Sequence, residues 1–101
     1  MDLAKLKSIQ NVEENRFELA VGGEIAIIDY KIGKSGNWYL VHTEVPDKLK
    51  NHGVGNKLVR ESLNILAIQD VRIIPSCPFV RAFIKRHKDD YAKLLADGVK
   101  L

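Results

Sequence analysis

The period of the apolar residues changes between Pro46 and Gly53, and that change restricts the folds open to this chain more than any other feature. Before it the residues alternate: Trp38, Leu40, His42 and Glu44 share one face of an extended segment, and Tyr39, Val41, Thr43 and Val45 share the other. After it, Val54, Leu58, Val59, Leu63, Leu66 and Ala67 recur at helical spacing, with Asn56, Arg60 and Asn64 on the opposite face. Pro46 cannot donate to a strand ladder and ends the extended segment, and Asp47 to His52 is a polar connection. The amphipathic helix that follows reaches to near Gln69. A strand therefore feeds a helix through a loop that contains Gly53 and Gly55.

Upstream, Arg16 to Val21 and Glu24 to Ile32 carry branched and aromatic residues and read as strands joined by Gly22-Gly23. Two residues at positive φ suit a tight hairpin turn. A second turn, Gly33 to Asn37, leads into the Trp38 to Val45 strand and completes an antiparallel meander. Ser8 to Glu13 is expected to add a weaker edge strand, and Met1 to Lys7 reads as a tail or a short helical turn. Downstream, Val71 to Ile74 is a short buried strand stopped by Pro75, and Pro78 suits the first turn of a second helix running to about Arg86. The chain of 101 residues has no repeat, low-complexity stretch or linker. It is expected to form one domain over 1–101, with its core over about 8–91.

Charge excludes little. Sixteen Lys and Arg against thirteen Asp and Glu leave +3, which favours an anionic ligand mildly and falls well short of the basic footprint of a dedicated nucleic-acid binder. No apolar run has the length of a membrane span or secretory segment, so a soluble, cytoplasmic chain with no membrane partner is expected. Cys77 stands alone and has no metal-ligand spacing with His42, His52 or His87. A reduced compartment and no metal follow as expectations.

A strand, a glycine loop and a helix in succession make an anion site, because free N–H groups converge where the helix dipole is positive. Lys50-Asn51-His52-Gly53-Val54-Gly55 occupies that place. Gly53 and Gly55 let backbone approach a phosphate, and Lys50, His52, Lys57 and Arg60 add positive character. A glycine pair that only turns the chain and starts a helix has the same spacing.

The sequence resembles the GNAT acetyltransferase superfamily, whose pyrophosphate loop reads Arg/Gln-x-x-Gly-x-Gly/Ala between a strand and a helix. More narrowly it is similar to the small GNAT-like N-acetyltransferase domain proteins. The resemblance runs from about Arg16 to Tyr91 and rests on His42-Thr43-Glu44-Val45-Pro46, His52-Gly53-Val54-Gly55 and Ile74-Pro75-Ser76-Cys77-Pro78-Phe79-Val80 in that order. Lys50 replaces the usual Arg or Gln, keeping charge without the planar fork. Asn51 stands where the narrow family often has Gly. The family's His-x-x-Tyr arrangement has one further residue between His87 and Tyr91 here.

The resemblance implies an α/β fold of α+β type, a single GNAT-like domain with a mixed, largely antiparallel sheet and two or three helices. It implies a strand ending near Val45 that splays from Val71 to Ile74 and admits the pantetheine arm of acetyl-CoA. Backbone at Thr43 to Val45 would pair with the cofactor's amides. Gly53, Val54, Gly55, Asn56 and Lys57, with Lys50 and His52, would hold its pyrophosphate, and the thioester would face Cys77.

Three catalytic candidates follow. Cys77 either accepts acetyl and passes it on or shapes the pocket while an amine attacks directly, and a lone cysteine after a buried strand also serves as a small core residue. His42 and Glu44, on one strand face before the loop, are candidate bases for an amine, against the plainer roles of a structural histidine and a solvated charge. Phe79, Val80, Phe83 and Ile84 are expected to pack the second helix, and Arg81, Lys85, Arg86 and Lys88 to form a solvated face. The leading function is N-acetyl transfer from acetyl-CoA to a primary amine on a small molecule or peptide. A CoA-binding or acyl-CoA-sensing protein is the alternative, and a nucleic-acid or protein-interaction module using the basic helix is a third class. So short a chain leaves little material for an acceptor lid, which suits a shallow site, a partner chain or a macromolecular substrate.

Overall fold

A computed structural model describes residues 2–101; Met1, the first residue of the expected tail, lies outside the described residues. Leu3–Lys5 forms one 3-10 turn. The strands β1 (Ile9–Asn11), β2 (Arg16–Val21), β3 (Glu24–Ile32) and β4 (Trp38–Glu44) follow. They pair antiparallel in chain order. Gly22 and Gly23 take φ of 55° and 84°, so the hairpin closes with Val21 opposite Glu24. β1 is shorter than the Ser8 to Glu13 expected.

After a 3-10 turn at Asp47–Leu49 come α1 (Val54–Ile68), β5 (Ile73–Pro75), α2 (Pro78–Arg86) and the single turn α3 (Lys88–Tyr91). β5 lies beside β4 and parallel to it, which makes the five-stranded sheet mixed, in the order β1-β2-β3-β4-β5. The mixed, largely antiparallel α/β architecture expected is the one present. β5 begins at Ile73, not Val71, and Pro75 belongs to it, opposite Leu40. Its missing N–H breaks nothing, because the N–H of Cys77 supplies the next bond to the Leu40 carbonyl at 2.8 Å.

The core lies between α1 and one face of the sheet. Val54, Leu58, Val59, Leu63 and Leu66 of α1 are buried with Phe17, Leu19, Ile28 and Leu40 of the strands. Each such side chain contributes roughly 1.5–3 kcal/mol on full burial. On the other face Ile9 and Ile25 are exposed and Arg16, Glu18 and Ile27 are half-buried.

One irregularity corrects the face assignment read from the sequence. Asp29 pairs with His42 but Tyr30 pairs with Leu40, so Val41 is an extra residue, a β-bulge that reverses the alternation after it. Thr43 opposes Ile28, which opposes the buried Phe17. It therefore joins Leu40 on the helix side, and Val45 packs against the core. His42, opposite Asp29, and Glu44, opposite Ile27, face the other way and are exposed. Trp38 and Leu40 do not share their face with His42 and Glu44.

The polar stripe of α1 is a seam for the C-terminal helices. Arg86 donates to Asn56 Oδ1 at 3.2 Å. The Arg60 guanidinium lies 5.3 Å from the Phe83 ring centroid and 5.9 Å from that of Tyr91. The Tyr91 hydroxyl donates to Asn64 Oδ1 at 2.9 Å. His87 lies against Phe83 with ring centroids 4.4 Å apart. Tyr91 is therefore a buried docking residue. Packing continues past it, since Leu94 and Ala96 are buried and the Ala96 N–H donates to the Ile73 carbonyl at 2.9 Å.

Tyr91→Phe removes the bond to Asn64 without emptying the space of the ring, and it should destabilise the protein by about 1 kcal/mol in urea unfolding. An unchanged midpoint would show that the hydroxyl holds nothing in place. A second prediction concerns acid. Arg16 Nε and Asn11 Nδ2 donate to the same Glu18 oxygen, at 2.7 Å and 3.0 Å, and hold its carboxyl below the usual glutamate range. The native state then binds fewer protons than the unfolded chain. The resulting stability is complete above the ordinary glutamate value of about 4.3 and is lost as pH falls through the lower native value. Glu18→Gln should flatten that acid limb in a series of unfolding midpoints against pH.

Candidate functional site

Left-handed backbone shapes the loop between β4 and α1. Asn51 takes φ 65° and Gly53 takes φ 78°. Glycine adopts this region freely and asparagine tolerates it, which accounts for Asn51 at a position where glycine would be equally at home. Gly53 caps α1 with no side-chain hydrogen bond, and no acidic residue stands in the first turn. The first intrahelical bond is Lys57 N–H to the Gly53 carbonyl at 3.0 Å. Among the described residues, the N–H groups of Val54, Gly55 and Asn56 find no acceptor. They are free donors at the positive end of a 15-residue helix.

These donors open onto a cleft of about 540 Å³ between the loop, the end of β4 and α2. Of the cofactor residues expected from the sequence, Thr43, Val45, Lys50, Gly53, Val54, Gly55 and Asn56 line it. His52 and Lys57 do not. His52 is exposed on the loop, and Lys57 turns to Glu61 at 3.5 Å, a partner legible at spacing i,i+4. Lys50 lies 2.9 Å from Asp47, both side chains well exposed.

Leu49, Phe79 and Arg86 also line the cleft, and sequence reading did not place them there. Phe79 was expected in the core of α2. Val80, Phe83 and Ile84 are buried, but Phe79 is 41% exposed. Its ring tip covers Gly55: a Cβ there would lie 2.7 Å from Phe79 Cζ. The signal was Gly55 itself, a helix-start residue that leaves space for an aromatic neighbour. The basic face of α2 is also partly engaged, since Arg81 donates to the Lys100 carbonyl at 2.7 Å and Arg86 to Asn56.

The three catalytic candidates are not brought together. Cys77 is buried at the N-cap of α2, with Sγ 3.3 Å from Thr43 Oγ1, and does not line the cleft. His42 Nε2 lies 3.6 Å from Glu44 Oε2, both exposed on the far face of the sheet. The β4–β5 ladder covers Trp38 to Leu40 only. β5 ends there, at Pro75, and that side of the later half of β4 has no strand partner.

Uncapped helix donors, two glycines and two cations suit a phosphate-bearing ligand. Among the described residues no group of three or more His, Cys, Asp or Glu could hold a metal ion. No helix among them is long and apolar enough to cross a membrane. The family model described as GCN5-related N-acetyl-transferase matches residues 16–94. Protein NATD1 of Bos taurus is 31% identical over 48 residues, which is 48% of this chain and 42% of that protein. The match thus spans less than half of the relative's length.

Gly55→Val places a branched side chain against Phe79 and the approach to the helix donors. The partly exposed ring can swing outward, so the variant should fold with a melting temperature near wild type, and a phosphate-bearing ligand held by the helix donors, with CoA as the probe, should bind at least tenfold more weakly. Calorimetry and thermal unfolding separate the two effects. Equal CoA affinity in the folded variant would remove the loop from the site.

Proposed function

Because the chain belongs to the GCN5-related N-acetyltransferase family, we propose that it transfers an acetyl group from acetyl-CoA to a primary amine on a small molecule or peptide. The observation that carries this reading is the uncapped start of α1 facing a cleft that runs beside the half of β4 that β5 leaves unpaired. In this reading Gly53, Val54, Gly55 and Asn56 hold the diphosphate, Lys50 adds charge, and backbone at Thr43 to Val45 meets the amides of the pantetheine arm. Acetyl-CoA supplies the acetyl group activated as a thioester. The chain's own residues orient it and handle the proton that the attacking amine must lose.

Direct transfer is the better-supported route. Cys77 is buried against Thr43 and outside the cleft, which favours a small packing residue behind Thr43 over an acyl carrier. His42 and Glu44 are accessible to an acceptor approaching the open face, and either takes the proton in this scheme. The separation of that pair from Cys77 across the sheet favours a second reading, CoA binding or acyl-CoA sensing with little turnover.

Steady-state turnover of acetyl-CoA against a panel of amines tests both. Under the leading reading, His42→Gln or Glu44→Gln should lower the rate by roughly 10²-fold with CoA affinity unchanged. Cys77→Ala should keep turnover, and intact mass should show no acetyl adduct after incubation with acetyl-CoA alone. CoA binding with no turnover on any amine would favour the sensing role. An adduct mapped to Cys77 would overturn direct transfer.

A further inference from the structure

Two cations line the cleft, and they differ in what already holds them. Lys50 lies 2.9 Å from the Asp47 carboxylate. Arg86, at the end of α2, has no carboxylate partner among the described residues, and it donates a hydrogen bond to the neutral amide oxygen of Asn56 at 3.2 Å. Asn56 sits in the first turn of α1, beside the free helix donors. We propose that Arg86 is a phosphate ligand of bound CoA, gripping its diphosphate from α2 while the start of α1 holds it from the other side; this rests on the acetyl-CoA reading above.

A guanidinium presents five N–H donors in a planar fork. One N–H on Asn56 fixes the plane and leaves others for phosphate oxygens, where charge-assisted bonds are roughly twice as strong as neutral ones. The pair supplies the planar recognition that Lys50 cannot. Lys85 and Lys88, on the same basic face, do not line this cleft. Arg86 alone of that face reaches it.

Calorimetry of wild type, Arg86→Gln and Arg86→Lys against three ligands tests this. CoA and dephospho-CoA both carry the diphosphate, and pantetheine carries no phosphate. Arg86→Gln should raise Kd for CoA and dephospho-CoA by the same factor, roughly 10- to 100-fold. Arg86→Lys should recover only part of the loss, and pantetheine binding should stay as in wild type. Arg86 is exposed, so both variants should melt with the wild type; a shared fall in pantetheine affinity would instead mark a structural role and overturn the proposal. Equal CoA affinity in wild type and Arg86→Gln would also overturn it, leaving the acetyl-CoA reading intact. A loss confined to CoA would put Arg86 on the ribose phosphate and refute the diphosphate contact. Failure of wild type to bind CoA at all would sink both readings together.

Discussion

The parallel ladder between β4 and β5 stops at Leu40, and the rest of the candidate site depends on that stop. Immediately after it, Val41 is inserted as a bulge. Had β5 continued past Pro75, it would occupy the edge of β4 that borders the cleft. Had the alternation continued unbroken, His42 and Glu44 would point into the core beneath α1, and Thr43 and Val45 would point away from the cleft they line. A bulge bends its strand and turns the side chains that follow. One extra residue therefore sorts the chain after Leu40 into a cleft-facing pair, Thr43 and Val45, and an outward-facing pair, His42 and Glu44.

The seam along α1 ties the cleft to the packing of the C-terminal helices. Asn56, Arg60 and Asn64 receive Arg86, the Phe83 and Tyr91 rings, and the Tyr91 hydroxyl in turn. The first of these contacts borders the cleft and the last is half-buried about two turns away. The position of Arg86 over the helix start is thus set by the same row of contacts that docks α2 and α3. A polar stripe opposite an apolar one usually marks a solvated face; here it also docks the C-terminal helices, with Arg60 half-buried while Asn56 and Asn64 stay exposed.

Much of the fold was legible because its signals are local. Gly22-Gly23 specifies its turn by backbone conformation, Pro46 and Pro78 mark where a strand ends and a helix begins, and the apolar period gives α1 nearly to the residue. The loop was legible for the same reason. The bulge was not, since valine suits a regular strand and a bulged one equally, and the choice rests on the register with β3. Phe79 and Arg86 were assigned to a core and to a solvated face because their surroundings depend on the angle at which α2 meets α1, and no spacing within α2 encodes that angle. Lys57 was placed in the loop's field by proximity in sequence, although its i,i+4 partner Glu61 was in plain view.

The loop also shows why its departures from the family pattern are tolerable. A side chain at Lys50 that lies beside Asp47 on an exposed surface contributes little by itself, since such pairs are worth about 0–1 kcal/mol. The conformation that aims the backbone donors is set instead by Asn51 and Gly53, both in the left-handed region. Changing the cation at Lys50 leaves that conformation alone, and asparagine is one of the few side chains that can stand in for glycine at position 51 without straining it. The tolerance does not extend to Gly55, whose backbone is ordinary helix. What Gly55 contributes is the absence of a Cβ, because the space beside it is taken by Phe79 on one side and opens to the cleft on the other. Substitution is therefore constrained by conformation at Gly53 and by volume at Gly55, although both glycines line the cleft.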